Sequence, residues 1–523
     1  MKKNITLILS LFLSVSSVDL FAQDKKIGSR QDREGLYNYL LEKTFERESF
    51  SPVKNQNLDL DIEKEMLKYK SELINAKSEE DLFYAIVKIS NARKDRHLKV
   101  ATIKNGLTLR DITPGTLPIL FEVDFKNEDN PFFFISNYSS NIKKYGKVQP
   151  EVGDRLIKVN GELFNSYINR IKPYHRYSTL NGFWKKLPPT FTTKNLLLPY
   201  SFDVKTMRLE FENKDGKTYM LALPYLPDEK IKWQLESNVR YKGFELAYKT
   251  QTYHLYLPAN KKVGKTVLLY WYGFRENLVN DIDRLIAYAD SAKLLDHNII
   301  VDATKSRGGS KGAYAVQRMS PLPFKTAFGN IRLSDIADDF INRKKRQFDS
   351  KKILDGNVKE TIDDGSWLMD WLLNDVMDGI NDGQQYSNNV PFKLAHLPKY
   401  SDGIMQPAEK HFTGKLACLF SPYGGSHLDQ FSSIVVDNKL GYTIGMATGG
   451  YSNTWEWHED LTFLNSKKPL VDFMWSIGHT IRPNGQILEG NPASIDRHIP
   501  LTRDNYLNYY DLLIDEALMY LLK

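Results

Sequence analysis

The apolar run Leu416-Ala-Cys-Leu-Phe420 ends in the turn-forming stretch Ser421-Pro-Tyr-Gly-Gly-Ser426, after which Leu428, Phe431, Ile434 and Val435 recur at helical spacing. A short unbroken apolar run ahead of two glycines reads as a strand, and the periodic segment after it as a helix with one buried face. Two more such runs, Thr266-Val-Leu-Leu-Tyr270 and Asn298-Ile-Ile-Val301, flank a predicted helix from Asn280 to Leu295. Strand, helix, strand in that order predicts a crossover unit with a parallel pair, and so an α/β core. Gly424 and Gly425 let the chain turn tightly, and Ser426 falls on the first turn of a helix whose free amides favour negative charge. Two roles are open to its hydroxyl. Ser426-His-Leu-Asp429 has the pattern of a capping box, and a serine at such a turn is also a candidate nucleophile.

The chain of 523 residues is long enough for roughly two to four domains. A hydrophobic content of 41% with 26% charged residues and no long low-complexity tract favours neither a disordered nor a fibrous protein. Residues 1–22 read as an export signal: Lys2 and Lys3, an apolar run from Ile5 to Val15, then Leu20-Phe-Ala22 before Gln23. The expected location is therefore periplasmic or secreted. No cysteine follows the cut to carry a lipid, and no later stretch approaches the ~20 apolar residues needed to span a bilayer. Cys418, the single cysteine, sits in an apolar run and reads as a small buried hydrophobe; alone it makes neither an internal disulfide nor a cysteine-ligated metal site. The net charge of +7 is scattered. Its one basic run, Arg343-Lys-Lys-Arg346, is balanced by Asp338, Asp339 and Asp349 and reads as a solvated helix face, not a nucleic-acid site.

Ahead of the α/β region the pattern changes twice. Leu58, Ile62, Met66, Tyr69, Leu73 and Ile74 predict an amphipathic helix over 58–76. Ser78-Glu-Glu-Asp81 predicts the cap of the next, with Leu82, Phe83, Ile86, Val87 and Ile89 as its buried face. Leu117–Val123, Phe132–Ile135 and Arg155–Val159 then read as strands, and Met207–Phe211 and Tyr219–Leu223 as a hairpin about Asn213-Lys-Asp-Gly216. Val152-Gly-Asp-Arg-Leu-Ile-Lys-Val-Asn-Gly161 resembles the signature of PDZ domains, in which Gly-Asp opens a turn into a strand and Asn-Gly closes the next. The expected divisions are a signal at 1–22, a helical unit at 23–105, a PDZ-like and β-rich unit at 106–228, and an α/β core at 229–523 with an insertion at about 324–406. No internal repeat is present.

Several segments then fall in an ordered set: Asp95-Arg-His-Leu98, the Gly-Asp to Asn-Gly decapeptide, Val301-Asp-Ala-Thr-Lys-Ser-Arg-Gly-Gly309, the Ser426 segment, Gly445-Met-Ala-Thr-Gly-Gly450, and Glu489-Gly490. Over most of the mature length this set resembles the C-terminal processing (tail-specific) and tricorn-core serine peptidases. The resemblance implies a crotonase-like ββα catalytic core behind the helical unit and the PDZ-like domain. It also implies Ser426 as nucleophile, and it makes His97 the general base, although a histidine beside Lys94, Arg96 and Lys99 would by itself read as a surface residue. The lysine base of the C-terminal processing branch has no counterpart, because Tyr451 stands at that position; the tricorn-core branch uses a histidine oriented by a carboxylate, which matches Glu489. The oxyanion donors implied are the His427 amide and the Gly308-Gly309 backbone, although Thr304, Lys305 and Ser306 replace the family's usual arginine and asparagine. Gly424, Gly425, Thr448, Gly449 and Tyr451 are expected to line the substrate cleft.

The expected function is thus an exported serine endopeptidase acting on protein or peptide substrates through a Ser-His-Glu triad, without metal or cofactor and with homo-oligomerisation left open. Two rivals remain at the level of sequence. One is a non-catalytic peptide or ligand binder on the same fold; the other is a carbohydrate-associated protein using Trp455 and Trp457, although buried aromatic packing is the commoner fate of such residues. His479 and His498 show no local partner in the sequence.

Overall fold

The computed structural model describes residues 27–235, 241–349, 366–391, 402–453 and 455–523; the expected signal at 1–22 and parts of the stretch 324–406 lie outside the described residues. The architecture is mixed α/β with several sheets. Among the described residues no helix is long and apolar enough to cross a membrane.

The chain enters through helix α1 (Arg30–Arg47), whose capping box is reciprocal: Ser29 accepts from the Asp32 amide and the Asp32 carboxylate takes the Ser29 N–H. The single helix expected over 58–76 is broken into two short pieces, Ile62–Leu67 and Lys70–Ile74, behind a separate short helix at Pro52–Asn57. Asp59 adopts a φ of 48°, which ends one turn, and Asp61 starts another by accepting the Lys64 amide at 3.1 Å. The apolar positions Ile62, Met66, Leu73 and Ile74 are buried nonetheless. Helix α2 (Glu79–Ala92) is capped by Ser78, which accepts the Asp81 amide, but the Asp81 carboxylate takes the Lys77 amide rather than that of Ser78. At Lys94 the chain passes through a φ of 52° and leaves the helix as the Asp95-Arg96-His97 loop. The helical core here is shared, because Phe340, Trp455, Phe463, Phe473 and Trp475 pack into it. Trp455 is 5% exposed and stacks on Trp371, while Trp457 lies under the Arg343 guanidinium at 3.8 Å. Trp455 is therefore packing, not an open sugar platform.

Strands β1 (Ile119–Asp124), β2 (Phe132–Tyr138), β3 (Arg155–Val159), β4 (Thr206–Glu212) and β5 (Thr218–Pro224) form an antiparallel sheet in sequence order. Asn160 and Gly161, with φ of 51° and 85°, make the two-residue turn that Asn-Gly favours. Helix α3 (Leu180–Thr192) covers this sheet, with Phe183, Leu187 and Phe191 meeting Phe121, Phe133 and Phe211.

The largest sheet has seven strands: β6 (Phe244–Lys249), β7 (Tyr253–Pro258), β8 (Thr266–Trp271), β9 (Asn298–Asp302), β10 (Leu416–Phe420), β11 (Tyr442–Gly445) and β12 (Arg497–His498), adjacent in that order. From β8 to β12 every pairing is parallel. Unbroken apolar runs are what strands covered on both faces require. Val267, Leu269, Ile299, Val301, Cys418 and Phe420 point to the side of helices α4 (Leu278–Ser291), α5 (Gly312–Met319) and α6 (His427–Asp437). The alternate residues Leu268, Ile300, Ala417, Leu419 and Ile444 pack with helix α7 (Tyr509–Leu521). Cys418 is fully buried, and burial raises its thiol pKa. Leu269, 0% exposed, is expected to cost about 2–5 kcal/mol when changed to alanine, read as a lower urea midpoint at unchanged slope.

Candidate active site

Parallel strands release their chains at one edge of the sheet, and ligand sites on open α/β sheets lie in the crevice outside the strand carboxyl ends. Here β9, β10 and β11 lead into the loops 303–309, 421–426 and 446–452 at that edge. Main-chain bonds lace the loops together: Ala303 N to Leu419 O at 3.0 Å, Met446 N to Phe420 O at 3.1 Å, Gly449 N to Gly424 O at 2.7 Å.

Ser426 sits where β10 has turned into α6, with φ 61° and ψ −124°. That backbone is unfavourable for a residue with a Cβ and persists only where neighbours enforce it. The Ser426 amide donates to Tyr451 O at 2.7 Å. Asp429, one turn on, accepts Gly450 N and Tyr451 N, each at 2.9 Å, through its two carboxylate oxygens. The capping-box pattern is therefore not realised: the Ser426 side chain makes no cap bond, and Asp429 reaches across to the neighbouring loop. Burial lifts the Asp429 carboxyl to about 7 against the pull of those hydrogen bonds.

Glycines make room for this turn. A Cβ on Gly425 would fall 2.1 Å from the Tyr451 ring, and one on Gly308 would fall 2.7 Å from Ser426 Cβ and 3.1 Å from His427 N. Gly308 and the His427 amide thus meet directly beside Ser426. Gly309 runs parallel to Phe274 in a two-stranded pairing. The His427 imidazole is buried and accepts the Gly312 amide at Nε2, 2.6 Å, and burial pushes its pKa down to about 3. It is a neutral packing group, and only its main chain faces the serine. Thr448 is buried, its hydroxyl bonded to that of Ser432, and Gly449 O accepts from Thr179 Oγ1 at 2.8 Å, which ties the start of α3 to the site.

His97 arrives from the loop after α2. Its ring meets Tyr451 edge-on at 5.3 Å between centroids, so His97 and Ser426 share Tyr451 as a common neighbour. The His97 amide bonds Asp95 Oδ1 at 2.8 Å; His97 Nδ1 is 4.0 Å from the same oxygen and has no hydrogen-bond partner among the described residues. Asp95 Oδ2 accepts from Asn453 at 2.6 Å, and the Arg96 amide donates to Ser178 Oγ at 3.0 Å.

Glu489 lies fully buried behind this loop. Its Oε2 accepts the Ser452 amide at 2.8 Å, its carbonyl accepts from Ser51 Oγ at 2.5 Å, and its Oε1 has no hydrogen-bond partner among the described residues, with Lys54 Nζ 3.9 Å away. Burial first, then the charge of Asp95, holds its carboxyl well above the usual carboxylate range. The charge of Lys54, and then the nearby Ser178, whose hydroxyl also accepts the Arg96 amide, pull the other way. Asp95, Ser178, Asn453 and Lys54 thus belong to the site although sequence reasoning gave them no role; only Asp95 stood in a recognised motif. His479 and His498 do have partners, supplied from afar: Phe50 O at 2.8 Å and Glu128 at 2.9 Å.

No family model matches the sequence, and no curated protein matches it. Solved structures do. Mature CPAF complexed with lactacystin aligns over 94% of this chain and 98% of that one, at 14% identity and a TM-score of 0.69. Mature CPAF aligns over 94% and 96%, also at 14% identity, with a TM-score of 0.68. The chain has the CPAF fold. A photosystem II D1 C-terminal processing protease aligns over 93% of this chain and 98% of that one, at 10% identity and a TM-score of 0.40. The CPAF likeness covers nearly the whole chain, so the helical, antiparallel and parallel parts described above recur together in one known arrangement.

A carboxyl whose pKa is raised by folding adds stability below its unfolded value, and that contribution is lost as pH rises through the folded value. Wild type is therefore expected to lose stability relative to Glu489→Gln as pH rises above 4.5, the ordinary glutamate value, read as a shrinking difference in Tm.

Proposed function

We propose that the protein is an exported serine endopeptidase in which Ser426 attacks the peptide carbonyl, His97 accepts and returns the proton, and Glu489 orients the imidazole. The observation that carries this reading is the backbone of Ser426: a non-glycine residue at φ 61° whose hydroxyl caps nothing, held at a strand-to-helix turn. A serine used only as a helix cap gains nothing from such strain, whereas a nucleophile must be presented away from its own helix. The order of motifs, which resembles the C-terminal processing and tricorn-core serine peptidases, points the same way. So does the CPAF fold. The crotonase-like description of the parallel core and the PDZ-like description of the antiparallel sheet belong to this reading.

Oxyanion stabilisation falls to the His427 amide and the Gly308-Gly309 backbone, which needs no reorganisation when charge develops. His97 Nδ1 requires an acceptor in its working state. Glu489 is our assignment, because its Oε1 is the buried carboxylate oxygen left without a hydrogen bond in this cluster; Asp95 already bonds the His97 amide and Asn453. A protonated imidazole would in turn favour the ionised form of Glu489, which burial disfavours at rest.

A fluorophosphonate probe is expected to label the wild-type protein and to fail on Ser426→Ala and His97→Ala. Absence of labelling in folded wild type overturns the reading. Glu489→Gln should lower turnover by up to ~10⁴-fold, the scale for a triad carboxylate changed to its amide, with Asp95→Asn less affected. The reverse order would transfer the orienting role to Asp95.

A further inference from the structure

Beside Ser426 lies a group of cations for which the proposed reaction has no use. Arg96 precedes His97, and its guanidinium donates to Arg176 O at 3.3 Å; Arg176 in turn donates to His97 O at 3.1 Å. Lys186, on α3, places its ammonium 3.7 Å over the ring of Tyr423, within the turn that leads to Ser426. Arg307 is exposed and directly precedes Gly308, the residue packed against Ser426 Cβ. Arg96, Arg176 and Lys186 are only half-buried, so they retain access to solvent.

None of these cations forms an ion pair with a carboxylate among the described residues, whereas the adjacent Lys185 is paired with Glu122 at 2.6 Å. They repel one another instead. Burial, then the charges of Arg96 and Arg307, pushes Lys186 down to about 7; burial, then Arg96, pushes Arg176 down to about 10. Two carboxylates oppose these shifts, Asp429 on Lys186 and Asp95 on Arg176, but the oxygens of the first are committed to the Gly450 and Tyr451 amides and those of the second to the His97 amide and Asn453. Half-buried like charges whose neighbouring carboxylates are already hydrogen-bonded elsewhere are costly, and an incoming anion would relieve that cost.

We propose that Arg307 and Lys186, backed by Arg96 and Arg176, form a subsite that binds a carboxylate of the peptide substrate next to the scissile bond. Guanidinium and ammonium donors brought to one serine from two different elements suit a carboxylate, and a charge-assisted contact discriminates it from the isosteric amide. This subsite rests on the peptidase reading for its place beside the bond that is cut, but binding does not require turnover.

The test therefore uses the full-length Ser426→Ala protein and three pools of short fluorescent peptides with acetylated amino termini. One carries a central Asp and an amidated carboxyl terminus, one a central Asn and an amidated terminus, and one a central Asn and a free terminal carboxylate. Anisotropy is expected to show one carboxylate-bearing pool binding about tenfold to a hundredfold more tightly than the uncharged pool. Preference for the Asp pool assigns the subsite to an acidic side chain, and preference for the free-terminus pool to the chain end. In Arg307→Ala and in Arg307→Ala/Lys186→Met, with melting curves confirming the fold, the preference should shrink and then vanish. Equal affinity for all pools, or a preference that survives both variants, overturns the proposal. Loss of fluorophosphonate labelling in the wild type would sink the peptidase reading while leaving this measurement intact.

Discussion

The parallel pairing of β10 with β9 on one side and β11 on the other underlies everything at the site. It sets Asp302 opposite Leu419 and Phe420 opposite Gly445, so the chains that leave these strands emerge side by side. Asp302, fully buried, then accepts from Tyr241, from Thr304 N and from Thr304 Oγ1, which starts the turn toward Gly308. On the other side Asp429 clamps the amides of Gly450 and Tyr451, and the Ser426 amide closes the circuit on Tyr451 O. Strain at one residue is tolerable because neighbours on two loops hold it from both directions.

A second layer of constraint is electrostatic. The helical part brings Lys54 and Asp95 into the protein beside Glu489, and Glu48 and Arg93 beside Asp95, each almost wholly buried. Arg93 pairs with Glu48 and lies over Phe473, and Asp95 is held by Asn453. Buried charges are tolerated when paired and hydrogen-bonded, and removing one partner is worse than never having the pair. The helical part is for that reason a component of the candidate site, not an appendage: it supplies His97 and part of the polar bed in which Glu489 lies.

Local signals were legible wherever one element's burial decided its form. Leu416–Phe420 forms the strand its apolar run predicts, and Asn160-Gly161 forms the turn its residues favour. The predicted crossover helix between β8 and β9 is α4, shifted by a few residues toward its start. The periodicity over 58–76 correctly marked buried positions but not helix continuity, because Asp59 and Asp61 impose breaks that an apolar repeat does not reveal. Ser426 shows the limit most clearly. Ser-x-x-Asp is the same string whether the aspartate bonds its own helix cap or the amides of a loop more than twenty residues on, since the competing donors are distant in sequence.

The amino-acid sequence by itself determined the α/β class, the strand-to-helix turn at Ser426 and the ordered motifs that nominate His97 and Glu489, because these depend on local burial and on residue types at fixed spacing. Tertiary structure alone decided what those residues face. It turned Asp429 from a cap into a clamp, made the His427 ring a neutral packing group, and set Ser178 and Lys54 against Glu489. It also brought Arg96, Arg176, Lys186 and Arg307 close enough to act on one another beside the Ser426 and His97 loops. The reason is that hydrogen bonding and charge act through space at a few ångströms, and which residues come that close is settled only when the sheets and helices pack.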